Sequence, residues 1–458
     1  MDIDALKQTV RGAVTTRGDA GYEGTRAGLL WNGRKPERYP EIVVKAMDAG
    51  DVQAAVRFAA RNGLRVSARG GGHNFSCVSL QDGLVVDLGA MDRLGIDVEK
   101  RTATAGPGVT NSRLAAALTE HGLAFPVGHC ASVPVSGYLL GGGFGWNSGA
   151  WGIACHNVAS VEVVLADGSL ITASETENPE IFWAARGAGP EFFGIVTEYR
   201  LRLQDLPRTI RTSVWSYSLD RIDAVERWMS ATMRILPSNV EFTAVMSSAP
   251  PPLADRAAKT VAAVATIFAA SEEEAAATLA KIQSGAPEGA LAAQLGMETP
   301  FDVLYRIIGQ FFPEGRRYAA DTHWSADPAA LLRGLADSVS AAPSPETFAL
   351  AVVLPPTASQ AIPDTAFSMI GPAFGAAYAI WRDSKNDAEN FTWVRQASER
   401  AASYSLGHYI GEADLDLPER ARGSFSAAAY ARLCSLQRKY DPAGLFHRPA
   451  REPLKKAG

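Results

Sequence analysis

The sequence predicts an α+β fold in two units, and three observations carry that expectation. Ile42–Ala46 and Leu64–Ala68 read as short strands flanking a helical stretch, Asp51–Asn62, whose Val52, Ala55, Val56 and Ala59 share one face, so a strand–helix–strand unit forms early in the chain. After about residue 205 strand-like runs alternate with amphipathic helices, the pattern of an antiparallel sheet with helices on one face. A chain of 458 residues also exceeds what one hydrophobic core usually organises.

The remaining elements follow in order. Val85–Leu88 reads as a further strand and Asn111–His121 as a helix. Val161–Leu165 turns at Asp167-Gly168, a turn-forming dipeptide between apolar runs, into Leu170–Thr172, which predicts a hairpin. Asn178 is placed to cap a helix that starts at Pro179, because proline lacks an N–H that this position leaves unused anyway. In the second unit Thr212–Tyr217, Val240–Met246, Val261–Phe268 and Thr347–Leu354 are strands, and Arg221–Met233 and Glu272–Ile282 are helices. Ser247–Leu253 and Ser340–Pro345 read as loops, and Ser424–Lys439 as a last helix.

Hydrophobic residues make up 47% and charged residues 20%, with a net charge of -5, which is globular composition without the basic bias of a nucleic-acid binder. No run of about 18 apolar residues predicts a membrane helix. The first residues, Met1-Asp2-Ile3-Asp4-Ala5-Leu6-Lys7, carry acids and lack both an apolar signal core and a twin-arginine pair, so a cytoplasmic location is expected. The four cysteines have no C-x-x-C spacing, which argues against a metal or redox pair, and Cys77, Cys155 and Cys434 read as small buried thiols. There is no H-E-x-x-H, Walker loop or G-x-S-x-G elbow, and no metal is expected. The oligomeric state is left open.

The chemistry concentrates in glycine-rich turns. Arg69-Gly70-Gly71-Gly72-His73-Asn74 follows a strand, and successive amide N–H groups in such a turn can form a nest for a pyrophosphate. Gly128-His129-Cys130 and Gly141-Gly142-Gly143-Phe144-Gly145 follow it. The R-G-G-G-H-N run resembles the pyrophosphate loop of the vanillyl-alcohol-oxidase type, or PCMH-type, FAD-binding fold. The stretch from Gly128 to Tyr138 with its glycine triplet resembles the berberine-bridge-enzyme-like branch. Asn178–Gly189 before Phe193–Thr197, and Tyr440-Asp441-Pro442-Ala443-Gly444-Leu445-Phe446 with glycine where the family usually has asparagine, are similar to two further blocks of it.

That resemblance implies FAD bonded covalently to His73 through the flavin 8α carbon and to Cys130 through C6. It also implies contacts from Arg69, Gly70, Gly71, Gly72, Asn74, Val135, Gly137, Gly142, Gly143, Ile153 through its main chain, Ile195, Val196 and Tyr440. It implies a FAD-binding domain in two parts, residues 1–205 and a C-terminal return over 415–458, around an inserted substrate domain over 206–414. His408–Leu417 resembles the family's Y-x-N-Y-x-D-L-D segment, with Gly411 for the asparagine and Glu412 for the second tyrosine, which faces substrate. A carboxylate in a partly apolar pocket suits a general base near neutral pH, so Glu412 is the expected base and Tyr409 its orienter or the alternative.

Tyr138 is expected to line the pocket, and Val135 to stand at the position that governs oxygen access, with Pro134 and Ser136 in place of the usual glycines. His129 either fills space or lies near the ring. Asp414 and Asp416 are read as capping or solvating the following turn, and Phe311, Phe312, Trp324, Tyr378 and Trp381 as either an aromatic wall or plain core. The activity implied is oxidation of a small alcohol or amine, with hydride passing to flavin N5 and O2 reduced to H2O2. A flavin dehydrogenase with another acceptor, an oligosaccharide or natural-product oxidase, and a flavin-binding protein without turnover remain the alternatives.

Overall fold

The computed structural model describes residues 1–355 and 362–450. Strands β1 (Val14–Thr16), β2 (Ile42–Lys45), β3 (Val66–Arg69) and β4 (Leu84–Asp87) form a four-stranded sheet in the order β1-β2-β4-β3, with β2 and β3 parallel to β4. Helix Ala49–Arg61 makes the crossover from β2 towards β3. Asp48 caps it by accepting from the Asp51 N–H, and Val52, Ala55, Val56, Phe58 and Ala59 are buried against Val44, Val66 and Val86.

A second, antiparallel sheet uses β5 (Leu94–Asp97), β6 (Thr102–Ala105), β8 (Val158–Val164), β9 (Leu170–Ser174) and β10 (Ile195–Arg202) in the order β5-β6-β10-β8-β9. The expected hairpin is β8–β9, with Val161 opposite Ala173. The short β7 (Leu123–Ala124) pairs with β11 (Gln204–Asp205).

The third sheet is wholly antiparallel: β12 (Thr209–Ser218), β13 (Val240–Ser248), β14 (Lys259–Ala269), β15 (Ala292–Glu298), β16 (Arg317–Ser325), β17 (Phe348–Val353), β18 (Ala373–Trp381) and β19 (Ser405–Gly407), in the order β15-β12-β14-β13-β17-β18-β16-β19. Helices Ile222–Met233, Glu272–Ser284, Pro328–Ser340 and Asp387–Ala401 cover one face. The two-residue period of a strand sorts its side chains between two cores. Ala319, Ala377, Ala379 and Trp381 face the helices, whereas Tyr318, Ala320, Trp324, Phe374, Ala376 and Tyr378 point the other way, onto Trp31, Phe75, Phe144, Ile153 and Tyr409. Helix Ala427–Tyr440 then returns the chain to the first sheet, where Val66 donates to the Leu445 carbonyl and His447 to the Val66 carbonyl, both at 2.8 Å.

The α+β architecture is the one expected, and three local readings change. Asn178 precedes helix Pro179–Ala185 in the left-handed region at φ 46°, and its amide donates to the Thr172 carbonyl instead of accepting from the helix, so it fastens the helix start to β9 without capping it by side chain. Strand β13 runs on through Ser248 into the stretch read as a loop, because β14 and β17 supply partners on both sides. The last helix begins at Ala427, where Ser426 accepts from the Ala429 N–H and fixes its start.

Candidate active site

A cavity of about 510 Å³ opens between the glycine-rich loops and the inner face of the eight-stranded sheet. A neighbouring pocket of about 320 Å³ shares Trp31, Gly70, Gly71, His73, Ser132 and Pro134 with it, so together they suit an elongated ligand. The shared wall depends on glycine. A Cβ at Gly70 would lie 1.9 Å from the Ser136 Oγ, and one at Gly71 would lie 2.3 Å from the Pro134 Cδ. Gly72 sits at φ 67° against the Leu29 carbonyl, a conformation other residues rarely adopt. Arg69 stiffens this loop from behind: it pairs with Asp87 at 3.0 Å and donates to the carbonyls of Leu29, Gly70 and Gly71.

His73 ends the loop with its ring stacked on Trp31 at 5.1 Å, and Trp31 packs in turn on Tyr318 at 4.7 Å. Burial, and then the charge of Arg69, pull the imidazole down to about 4, so at neutral pH it is uncharged and nucleophilic. Cys130 lies across the same cavity, and burial together with the Glu412 carboxylate pushes its thiol up to about 12. All four cysteines are free thiols.

The turn after β19 brings Tyr409 and Glu412 to the cavity. Its placement follows from β16, where the Thr322 Oγ1 accepts from the Tyr409 N–H at 3.1 Å and Asp321 accepts from the Asp414 N–H at 3.2 Å. Glu412 accepts from the Tyr378 hydroxyl at 2.5 Å. Burial raises its acid above the usual carboxylate range, against the opposing pull of Tyr378 and His129. The Tyr409 hydroxyl accepts from the N–H groups of Gly143 at 3.2 Å and Phe144 at 3.3 Å, and burial and the Glu412 charge raise its phenol. Tyr138 lines the cavity but donates to the Pro126 carbonyl at 2.6 Å.

Asn74 and Gly137 also line the cavity, and the Asn74 amide donates to the Gly411 carbonyl. The other residues expected to contact the cofactor are not among those lining this cavity. Val135 is wholly buried in the core, and Val133, two residues earlier, lines the cavity in its place. Gly142 and Gly143 pack against Phe367 and against Ala154 and Tyr138, Ile153 is core, and Ile195 and Val196 are held in β10 beside β8. Tyr440 stacks on Phe193 at 5.4 Å and its hydroxyl meets Glu180.

Asp414 and Asp416 do more than cap: Asp414 binds Arg395 at 3.1 Å, and Asp416 joins Arg34 at 3.1 Å to Arg38 at 3.0 Å. Of the five aromatics considered, Phe312 lines the cavity and Tyr378 reaches it through Glu412. Trp324 packs on Phe144 and Phe374, Phe311 is exposed at 36%, and Trp381 faces the helices.

The sequence reading missed a buried polar cluster behind the turn. Asp321, His323 and His408 lie close enough to hold a metal ion. Their atoms already serve one another's neighbours: Asp321 takes Arg420 at 2.8 Å and Ser398 at 2.6 Å, His323 is bonded to Ser405 and Ser398, and His408 to the Thr322 carbonyl. This arrangement braces the turn. It was hidden because β16 and residue 420 lie about a hundred positions apart, and no motif links them.

A family model described as FAD binding domain matches residues 40–174. The chain is 30% identical over 444 residues to the FAD-linked oxidoreductase penO of Penicillium crustosum, covering 96% of each chain. It belongs to the FAD-linked oxidoreductases. The fold of this oxidoreductase matches two solved structures. One is 6-hydroxy-D-nicotine oxidase from Arthrobacter nicotinovorans, with TM-score 0.84, 23% identity, and 96% of this chain and 98% of that one covered. The other is berberine bridge enzyme from Eschscholzia californica, with TM-score 0.82, 20% identity and 99% of each covered.

The residues of this FAD-linked oxidoreductase fit the cofactor on two grounds. Gly70 and Gly71 leave the space that a flavin nucleotide would need beside the Ser136 loop, and the Ser136 Oγ is buried on the cavity wall with no protein partner. No helix among the described residues is long and apolar enough to cross a membrane.

Proposed function

We propose that the protein is an oxidase that holds FAD through two covalent links, at His73 and Cys130, and oxidises a small ring-bearing alcohol or amine with O2 as acceptor. The carrying observation is that one cavity gathers His73, Cys130 and Glu412 from three distant parts of the chain. Bound FAD would supply the hydride acceptor. Glu412 takes the proton from the substrate O–H or N–H, which its burial and raised acidity range suit it to do near neutral pH. Tyr378 orients the carboxylate by its hydrogen bond, leaving the other oxygen for substrate.

Tyr409 serves better as a brace than as a base, since its oxygen already receives two main-chain N–H groups. Tyr138, Phe75, Phe312 and Ile308 make a mostly apolar surround, which excludes water and favours a ring system over a polyhydroxylated chain. The named relative (R)-6-hydroxynicotine oxidase, 36% identical over 221 residues, is in keeping with an amine. The domain division at residues 205 and 414, and a cytoplasmic location, belong to the same proposal.

Peptide mapping of the denatured, digested protein by mass spectrometry tests the linkage. FAD bridging the His73 and Cys130 peptides is expected; a flavin absent from both peptides overturns the covalent site. Anaerobic mixing with a panel of cyclic alcohols and amines should bleach the flavin, and fast recolouring by O2 should follow. Slow recolouring by O2 beside fast recolouring by a quinone would instead identify a dehydrogenase.

A further inference from the structure

The cavity is lopsided in charge. Two carboxylates, Glu314 and Glu412, stand among the described residues that line it, and no lysine or arginine does; the lining histidine, His73, is uncharged at neutral pH. Arg69 lines the neighbouring pocket but is matched by Asp87 at 3.0 Å. Arg316 and Arg317, just after Glu314 in the chain, are turned to Glu346 at 2.7 Å and to Asp387 at 2.5 Å. Glu314 itself has no ion-pair partner among the described residues. It is exposed whereas Glu412 is half-buried, so Glu314 stands at the opening and Glu412 further in.

The segment that carries Glu314 is pinned on both sides. The Tyr318 hydroxyl donates to the Pro313 carbonyl at 2.5 Å, the Gly33 N–H donates to the Arg316 carbonyl at 2.7 Å, and between them Gly315 turns at φ 73°. Phe312, two residues before Glu314, packs edge-on against Tyr378 with ring centres 5.3 Å apart, and Tyr378 is the tyrosine bonded to Glu412. Phe75 joins them, 6.5 Å from Phe312 and 5.6 Å from Tyr378. Aromatic faces attract a cation through their ring quadrupoles, and unmatched acids at a cleft focus a negative field into it. Tyr305, 8% exposed, lines the same cavity with a hydroxyl that no protein group satisfies, which leaves a hydrogen bond for a ligand to make.

We propose that the substrate enters this cavity as a cation, a ring compound with a positively charged nitrogen remote from the bond that is oxidised, and that Glu314 at the opening selects it. The inference rests on the cavity being the oxidase site. Glu412 has one oxygen committed to Tyr378 and the other to the proton it removes, so a second, lasting positive charge falls to Glu314. An anionic substrate would meet two acids and no counter-charge in the lining.

Three probes of one shape test this at neutral pH: para-hydroxyphenyltrimethylammonium, para-tert-butylphenol and para-hydroxybenzenesulfonate, which carry a positive, a neutral and a negative group in the same place. Their binding to the full-length, flavin-loaded enzyme is read from the shift in flavin absorbance. The cation should bind about tenfold more tightly than the neutral probe, and the sulfonate most weakly. Glu314→Gln should narrow the lead of the cation about fivefold, Glu314→Asp should keep it, and Glu314→Lys should lift the sulfonate above the cation. High salt should narrow the lead in the wild type and barely change it in Glu314→Gln, because the carboxylate is exposed.

A neutral probe or a sulfonate that binds as tightly as the cation overturns the inference. So does a cation that leaves the flavin spectrum unmoved, or a lead that survives intact in Glu314→Gln. Failure of the underlying oxidase reading shows separately, as a cation that binds through Glu314 beside a flavin which no cyclic alcohol or amine bleaches.

Discussion

Replacing Asp321 by asparagine asks how much of the turn carrying Glu412 is held by charge. The carboxylate is 2% exposed. It accepts from Arg420 Nε at 2.8 Å, from Ser398 Oγ at 2.6 Å, and from the main-chain N–H groups of Thr322 at 2.9 Å and Asp414 at 3.2 Å. Asparagine keeps the shape and one acceptor but sets an amide N–H against Arg420 or Ser398. Breaking a buried ion pair from one side costs about 3–5 kcal/mol. The Arg420 side chain is 19% exposed, so water recovers part of its charge and the lower end, about 3 kcal/mol, is expected.

The pH dependence has a definite sign. Burial pushes the Asp321 acid up, but His408, Arg420, His323 and the Ser398 bond together hold it below the usual range. A depressed folded value means stability that is present above the unfolded value of about 3.9 and lost as pH falls through the folded one. Urea unfolding followed by tryptophan fluorescence should therefore show the full deficit of Asp321→Asn at pH 7, narrowing below about pH 4. A deficit under about 1 kcal/mol at pH 7, or one that widens in acid, would refute the claim that charge braces the turn.

Other perturbations separate the roles within the cavity. Glu412→Gln, which preserves the acceptor for Tyr378, should slow anaerobic flavin reduction by about 10²–10⁴-fold, the usual range for a lost general base, and stopped-flow bleaching measures it. Tyr378→Phe removes a bond that lowers the Glu412 acid, so the acid limb of the reduction rate should move to higher pH, and a limb that stays or moves down contradicts the assignment. Gly70→Ala places a methyl group 1.9 Å from the Ser136 Oγ and should yield protein with little bound flavin, read as the ratio of visible to ultraviolet absorbance. Trp31→Leu should lower the fraction of flavin that stays attached after acid precipitation, because the ring against which His73 stacks is gone.

The glycine runs and the cofactor turn were legible in the sequence because their geometry leaves little choice of residue, as the close contacts of Gly70 and Gly71 show. Helix Ala49–Arg61 was legible for a similar reason: its one-sided apolar pattern mirrors burial on one face. Strand β18 was not, since every residue of it is buried and no alternation survives to mark it. That Val135 opens its helix into the core while Val133, ahead of the capping Pro134, lines the cavity was not legible, because the spacing in this segment does not say which valine faces inward. The Asp321 cluster depends on contacts between residues far apart in the chain, and single-sequence patterns carry no signal of those.

The frame around the cavity joins early and late parts of the chain. Asn32 and Gly33 bond to Tyr318 and Arg316, Asn74 bonds to Gly411, and Val66 is clasped by Leu445 and His447. During synthesis the His73 loop therefore leaves the ribosome more than three hundred residues before the strand partner that closes behind it. Any cofactor capture that depends on this clasp must wait until residues 445–447 have been made, so bound flavin would report that the clasp has closed.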